Sequence, residues 1–222
     1  MTIAEAALEL VEDGTTIGLG TGRAASEFIR ALGPRVRQGL HVRGVPTSEA
    51  TATLAREVGV PLASLADVEE LDATFDGADE VAPGLDLIKG LGGALLREKI
   101  VAASSRRLVI LVGDEKEVDA LGAHGTLPIE VVPFGVPLVR RRLARLGLDA
   151  TLRTRDGAPF ATDNANYILD AHVGPIADPR GLEQAIHTIP GVVESGLFLG
   201  MAETVLIHDA AGKVRALRRG PS

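Results

Sequence analysis

The sequence predicts an α/β fold: a mostly parallel sheet domain with a smaller α/β domain inserted near the C-terminus. Strand, turn and helix patterns alternate from Thr15 to Lys116, as in an open parallel sheet with right-handed crossovers. From Ile129 to Phe198 the order changes to β-α-β-β-α-β, the split arrangement of strands and helices. Composition agrees with both. The chain has 222 residues, is 45% hydrophobic and 24% charged, and is dominated by Ala, Leu, Val and Gly, which let helices lie close on a sheet.

In order, Thr2-Ile3-Ala4-Glu5 reads as a capping box opening a helix to about Val11, ended by Gly14. Thr15 to Leu19 is a strand feeding the glycine-rich turn Gly18-Leu19-Gly20-Thr21-Gly22. Ala24 to Leu32 follows as a helix with Phe28, Ile29 and Leu32 on one face, stopped by Gly33-Pro34. Leu40 to Val45 is a second strand, and Pro46-Thr47-Ser48 turns it into a helix over Glu49 to Val58. Val60 to Leu65 and Leu71 to Phe75 are expected strands, the latter ending at Asp76. Asp86 to Ile88 is short and extended, and a glycine turn then starts a helix from about Ala94 to Ala103. Leu108 to Val112 is a fully apolar run, the mark of a central parallel strand.

In the second region, Ile129 to Val132 is a strand. Val136 to Leu146 is a helix with Val136, Val139, Leu143 and Leu146 on one face and arginines scattered outside it. Asp149 to Arg153 and Asn166 to Asp170 are strands, Pro179 to Thr188 a helix, and Val192 to Phe198 a last strand. Glu203 to His208 and Lys213 to Arg218 form a hairpin returning to the first sheet. The expected division is a Rossmann-like catalytic domain, residues 1–127 plus 199–222, and a ferredoxin-like domain, residues 128–198.

Several function classes drop out on composition. The chain has no cysteine, which removes disulfides, thiolate chemistry and Cys-ligated zinc. Its five histidines show no metal-ligand spacing such as i, i+4 on one helix, so no metal is expected. A net charge of -7 and only 3% aromatic residues argue against a nucleic-acid partner. The N-terminus has no basic region of a signal peptide, and there is no run of ~18 apolar residues. A cytoplasmic protein with no membrane association is expected.

In an open parallel sheet, ligands bind beyond the carboxyl ends of the strands. The strand-end loops are Gly20 to Arg23, Thr47-Ser48, Asp76 to Glu80, Lys89 to Gly93 and Asp114 to Lys116. Nearly every chemically interesting residue in the first half lies in one of them. Gly18 to Ala24 follows a strand and opens a helix, so backbone N–H groups and the helix terminus suit an anion such as phosphate. As a dinucleotide fingerprint it fails, because Arg23 stands at the third glycine and no acid ends the second strand. The segment Asp76 to Lys99 packs Asp76, Asp79, Glu80, Lys89 and a glycine turn into a short stretch, the raw material for proton transfer on a carbonyl substrate. Turns use the same residues, so the segment also fits a plain surface loop. Glu98 reads by spacing alone as an ordinary helical glutamate. Lys116 reads as the start of a helix, where its charge opposes the helix dipole unless an anion is held there.

GLGTGRAASEFI, DGADEV and KGLGGALLREKIVA, with LVGDEKEVD, PIEVVPF, TDNANYILD and IPGVVESGLF after them, resemble type A ribose-5-phosphate isomerase over essentially the whole chain. The resemblance implies an aldose-ketose isomerase that interconverts ribose 5-phosphate and ribulose 5-phosphate without metal or cofactor, acting as a homodimer or homotetramer. It implies Glu98 as the base that carries a proton between C1 and C2. It implies that Asp76, Asp79 and Lys89 position the sugar, assist ring opening and handle charge on its oxygens. Substrate-binding residues implied in the same way are Thr21, Gly22, Arg23 and Ala24, then Gly77 and Ala78, then Gly90, Leu91 and Gly92, with Lys116 at the phosphate. The family loop usually reads Thr-Gly-Ser-Thr, where this chain has Thr21-Gly22-Arg23-Ala24. Leu91 stands where a glycine is usual, which is expected to alter the backbone near Lys89. Rival readings are a related sugar-phosphate isomerase or deaminase, and a sugar-phosphate sensor without catalysis, which would lack the base that Glu98 provides.

Overall fold

A computed structural model describes residues 1–220. The first region contains α1 (Ile3–Leu8), β1 (Thr15–Leu19), α2 (Arg23–Arg37), β2 (Val42–Pro46), α3 (Glu49–Val58) and β3 (Ala73–Asp76). Two very short strands, β4 (Glu80–Val81) and β5 (Leu87–Ile88), precede α4 (Leu95–Ala103) and β6 (Leu108–Gly113). Then come β7 (Thr126–Val131), α5 (Val136–Arg145), β8 (Asp149–Leu152), β9 (Thr154–Arg155), β10 (Ala158–Pro159), β11 (Tyr167–His172) and α6 (Pro179–His187). The chain closes with β12 (Val192–Ser195), β13 (Leu197–Phe198), β14 (Thr204–His208) and β15 (Val214–Arg218).

By contacts the chain forms two compact units: residues 1–78, 97–117 and 200–222, and residues 79–96 and 118–199. The sequence places the boundaries at 127/128 and 198/199. The segments 79–96 and 118–127 instead pack with the second unit.

The first unit holds a six-stranded sheet of order β15-β14-β6-β3-β1-β2. All pairings are parallel except β14–β15, so the expected C-terminal hairpin does return to this sheet. Side chains alternate across it. Ile17, Leu19 and Phe75 join Phe28, Ile29 and Leu32 of α2 in one core. Gly18 and Thr74 face the other way, toward Val101 of α4. The order reverses between β1 and β3, since the chain steps from β1 outward to β2 and then back past β1 to β3. That is the switch point at which open α/β sheets take ligands.

The second unit contains a four-stranded antiparallel sheet of order β12-β7-β11-β8. Numbered within the unit this is 4-1-3-2, the order that two split β-α-β units produce. Leu127, Ile129 and Val131 of β7 pack with Leu169 and Ala171 of β11 against Val139 and Leu143 of α5 and Ile186 of α6. A three-stranded sheet, β13-β5-β4, lies in the same unit and was not foreseen.

Four expectations of local structure need correction. The second helix does not stop at Gly33-Pro34 but runs on to Arg37 with Pro34 inside it. Its buried apolar face outweighs the one hydrogen bond that proline removes. Val60 to Leu65 is not a strand. It makes a single bridge, Gly44 to Leu62, before the 3-10 turn Leu65–Asp67. Val192 to Phe198 is two strands in two sheets, broken at Gly196, whose N–H donates to Pro128 O at 2.7 Å and whose carbonyl accepts from Lys89 N–H at 2.9 Å. Asp114 to Lys116 is a 3-10 turn and not the start of an α-helix, so the expected conflict of Lys116 with a helix dipole does not arise.

Candidate active site

In the first unit the candidate residues gather at the switch point. Phe75 O accepts from Gly20 N–H at 2.9 Å, extending the β1–β3 pairing by one residue. Asp76, the last residue of β3, is 1% exposed. Its Oδ1 accepts from Thr21 N–H at 3.1 Å and Gly77 N–H at 2.8 Å. Hydrogen bonds to a carboxylate are charge-assisted, so Asp76 locks the glycine turn to its own strand end. Gly20 is required for this approach, because a Cβ there would lie 2.1 Å from Asp76 Oδ1.

Thr21 Oγ1 sits in a cluster of hydroxyls: Thr47 Oγ1 and Ser48 Oγ at 2.8 Å, and Thr51 Oγ1 at 3.1 Å. Thr51 Oγ1 in turn donates to Gly20 O at 2.9 Å. Ser48 is also the N-cap of α3. The Thr21 side chain therefore fixes the turn to the end of β2, a network that the strand-end position of Thr47-Ser48 hinted at without defining. Gly22 is the N-cap of α2 and supplies no side-chain cap. Arg23 begins the helix and is exposed, with half-buried Ala24 beside it. The N–H groups of this helix start thus lack a side-chain acceptor, which is the arrangement an anion satisfies.

Glu98 lies in the first turn of α4 and is 4% exposed. An anion in the first turn is favoured by the helix dipole. The buried position separates Glu98 from the ordinary solvated glutamate that its spacing suggested. Its neighbour Arg97 turns to Glu49, with Nη1 2.9 Å from Oε1. Gly77 and Ala78 follow Asp76 directly, half-buried, and Lys116 is half-buried in the turn after β6.

In the second unit Lys89 follows β5 and is 3% exposed. Its N–H is held by Gly196 O, and its ammonium lies 5.3 Å from the centroid of the Phe198 ring. That distance is a cation–π contact. Gly90, Leu91 and Gly92 form the turn after it, closed by Gly93 N–H to Gly90 O at 3.0 Å. Asp79 N–H donates to Ile88 O at 2.8 Å, and Asp79 Oδ2 accepts from Leu91 N–H at 3.0 Å. The side chain of Leu91 is exposed, and its backbone joins the turn as a glycine could. Glu80 has a different role. Fully buried, it accepts from Gly122 N–H and His124 N–H, each at 2.6 Å, and so pins the loop before β7.

The structure brings Asp76, Thr21 and Gly77 together in the first unit, and Asp79, Leu91 and the turn after Lys89 together in the second. A cavity of about 410 Å³ in the first unit opens at the starts of β1 and β2, lined by Gly14, His41 and Arg43 among others, at the opposite strand ends from these loops. Among the described residues, Glu183, His187 and Glu194 are a group whose ligand atoms all lie within 4.8 Å of one another. His187 Nε2 is 2.9 Å from Glu194 Oε1. Glu183 and His187 are one turn apart on α6, so the expectation that no histidine stands at a metal-ligand spacing on one helix is corrected here.

Residues 43–212 match the family model described as ribose 5-phosphate isomerase A (phosphoriboisomerase A). A ribose-5-phosphate isomerase A of Gloeobacter violaceus is 57% identical over 212 residues, covering 95% of this chain and 92% of that one. A solved ribose 5-phosphate isomerase A from Methanocaldococcus jannaschii is 42% identical with a TM-score of 0.93, covering 98% of this chain and 96% of that one. A D-ribose-5-phosphate isomerase solved in complex with phospho-erythronic acid is 40% identical with a TM-score of 0.94, over 98% of this chain and 96% of that one. The α/β architecture, with its mostly parallel sheet and additional antiparallel sheets, is therefore that of known members, and the chain belongs to the ribose 5-phosphate isomerase A family.

Proposed function

We propose that this chain interconverts D-ribose 5-phosphate and D-ribulose 5-phosphate through an enediolate, without a cofactor, in the non-oxidative pentose phosphate pathway. The observation that carries the reading is the burial of a helical carboxylate, Glu98, in a chain whose buried Lys89 and strand-end Asp76 match the family motif. On the open-chain aldose, Glu98 takes the proton from C2, and the C–H electrons form the C1–C2 double bond while charge moves to O1. The same proton returns to C1, the O2 proton passes to O1, and the C2 carbonyl forms. Abstraction next to a carbonyl needs a base and donors aimed at the developing oxyanion. The Lys89 ammonium supplies positive charge for that purpose, while Asp79 and Asp76 orient the sugar and assist ring opening. Gly77, Ala78, Gly90, Leu91 and Gly92 offer backbone groups to the sugar. The phosphate falls to Thr21, Gly22, Arg23, Ala24 and Lys116, supported by the start of α2, which no side chain caps.

A homodimer or homotetramer is part of the same proposal. Phe134, 96% exposed, and Val132, 43% exposed, are apolar side chains that association of two copies would cover. Among the described residues no helix is long and apolar enough to cross a membrane. A metabolic role of this kind points to the cytoplasm.

Purified protein given ribose 5-phosphate in the presence of a chelator is expected to form ketopentose. Absence of turnover removes the isomerase reading. Glu98→Gln is expected to lower kcat by at least ~100-fold, the size of a lost general base, with substrate affinity kept. A variant at full rate takes Glu98 out of the mechanism.

A further inference from the structure

Arg153 is one of the arginines that the sequence scatters through the second region without assigning. It directly follows β8, and its backbone is fixed on both sides, N–H to Ile168 O at 2.8 Å and carbonyl from Phe160 N–H at 2.9 Å. Its guanidinium meets Asp170 of β11 as a fork on a fork, Nε to Oδ2 at 2.9 Å and Nη2 to Oδ1 at 2.5 Å. The remaining terminal nitrogen, Nη1, donates to Gly90 O and to Leu91 O, each at 3.0 Å. Those are the first two carbonyls after Lys89.

We propose that Arg153 is a positioning residue for the reaction, holding the turn after Lys89 in one conformation by clamping the Gly90 and Leu91 carbonyls while Asp170 holds the guanidinium in its plane. The proposal rests on the reading of Lys89 and Asp79 as site residues. Three features support it. The turn is held from both sides, because Leu91 N–H goes to Asp79 while Leu91 O goes to Arg153. The anchor is a strand pair, since Arg153 and Asp170 sit on or beside the paired strands β8 and β11. The hairpin β9–β10 that follows Arg153 leads to Phe160, whose ring lies so close to Gly93 that a methyl group there would come within 2.6 Å of it. A planar guanidinium is the group that can satisfy a carboxylate and two carbonyls at once. A lysine ammonium in its place is a point charge without the fork. Misplacing a catalytic group by about an ångström costs on the order of 100-fold in rate, so a device that fixes Lys89 acts on kcat.

The test uses Arg153→Ala and Arg153→Lys, with wild type and Lys89→Ala as references. Hydrogen exchange reads the clamp without any substrate. In Arg153→Ala the amides of Leu91 and Gly93 are expected to exchange at least ~10-fold faster, with the β7 and β11 amides unchanged, as for a local opening. Unchanged exchange at Leu91 and Gly93 overturns the clamp, whatever the activity. With ribose 5-phosphate, kcat is expected to fall ~10–100-fold in Arg153→Ala while KM changes little. Added methylguanidinium is expected to restore part of kcat to Arg153→Ala and none to Lys89→Ala. Faster exchange with wild-type kcat, or a lost kcat with no rescue, overturns the positioning role. Should Arg153→Ala not fold, Arg153→Lys carries the same exchange and kcat comparison, with an intermediate loss expected and wild-type values overturning the proposal. An inactive wild type instead sinks the isomerase reading, and the exchange result still decides the clamp.

Discussion

At Arg23 the side chain differs from the usual family loop, and its setting gives the difference a direction. The residue opens α2 immediately after an N-cap glycine without a side chain to accept from the helix amides. Under the proposed function, an exposed guanidinium there adds a bidentate pair to the substrate phosphate at the start of α2. A hydrogen bond to a charged group contributes ~1.5–3 kcal/mol, so Arg23→Ala is expected to raise KM for ribose 5-phosphate about 10- to 100-fold. KM for unphosphorylated ribose is expected to stay as it is. Equal changes with both sugars mean that Arg23 does not touch the phosphate. Single residues differed widely in how far the sequence exposed them. Asp76 and Lys89 stood out because an acid at a strand end and a lysine before glycines are rare enough to notice. Glu98 did not, since a helical glutamate has a burial that only tertiary packing decides. The partners of the Arg153 guanidinium lie 17 to 63 positions away, beyond any local pattern.

At the scale of elements, α2 shows why a breaker signal can fail. Gly33-Pro34 reads as a stop, yet the helix continues because Phe28, Ile29 and Leu32 bury one face of it. Gly33 has a packing reason to be there. A Cβ at this position would stand 2.5 Å from Val58 O and 2.9 Å from Val58 Cβ, at the end of α3. In a free helix Gly→Ala stabilises by ~1 kcal/mol. Here the added methyl meets a backbone carbonyl that must move, and overpacking of that kind costs ~1–3 kcal/mol. Gly33→Ala is therefore expected to lower thermal stability by a few degrees despite its better propensity. A melting temperature above wild type would show that α2 and α3 separate freely. The elements that the sequence concealed are of two kinds. β4, β9 and β10 are two residues long, too short for any period to register. β12 and β13 read as one strand whose break at Gly196 is visible only through the partners on either side.

Among the described residues one large buried cluster is built on the parallel sheet and another on the antiparallel sheet. Each lies within a single compact unit. The alternation of strand and helix and the change after Leu127 made both sheets legible, because hydrophobic periodicity reports which face of an element is buried. Which unit a loop joins was not legible, since residues 79–96 reach their unit by way of two short strands pairing with a third at 197–198. Two cores raise the question of whether the units open together. Phe28 and Phe75 stack with centroids 4.5 Å apart and both are fully buried in the first core. Phe28→Leu keeps an apolar side chain but loses the ring pair, at a cost of ~0.5–1.5 kcal/mol beyond the lost area. If each core stabilises its own unit, that loss is felt where the contact was made. Native-state hydrogen exchange of Phe28→Leu is then expected to accelerate the protected amides of β1, β3 and β6 and to leave those of β7 and β11 at wild-type rates. Acceleration by the same factor in both sets would mean that the two cores open as one cooperative structure, and the division by contacts would carry no energetic boundary.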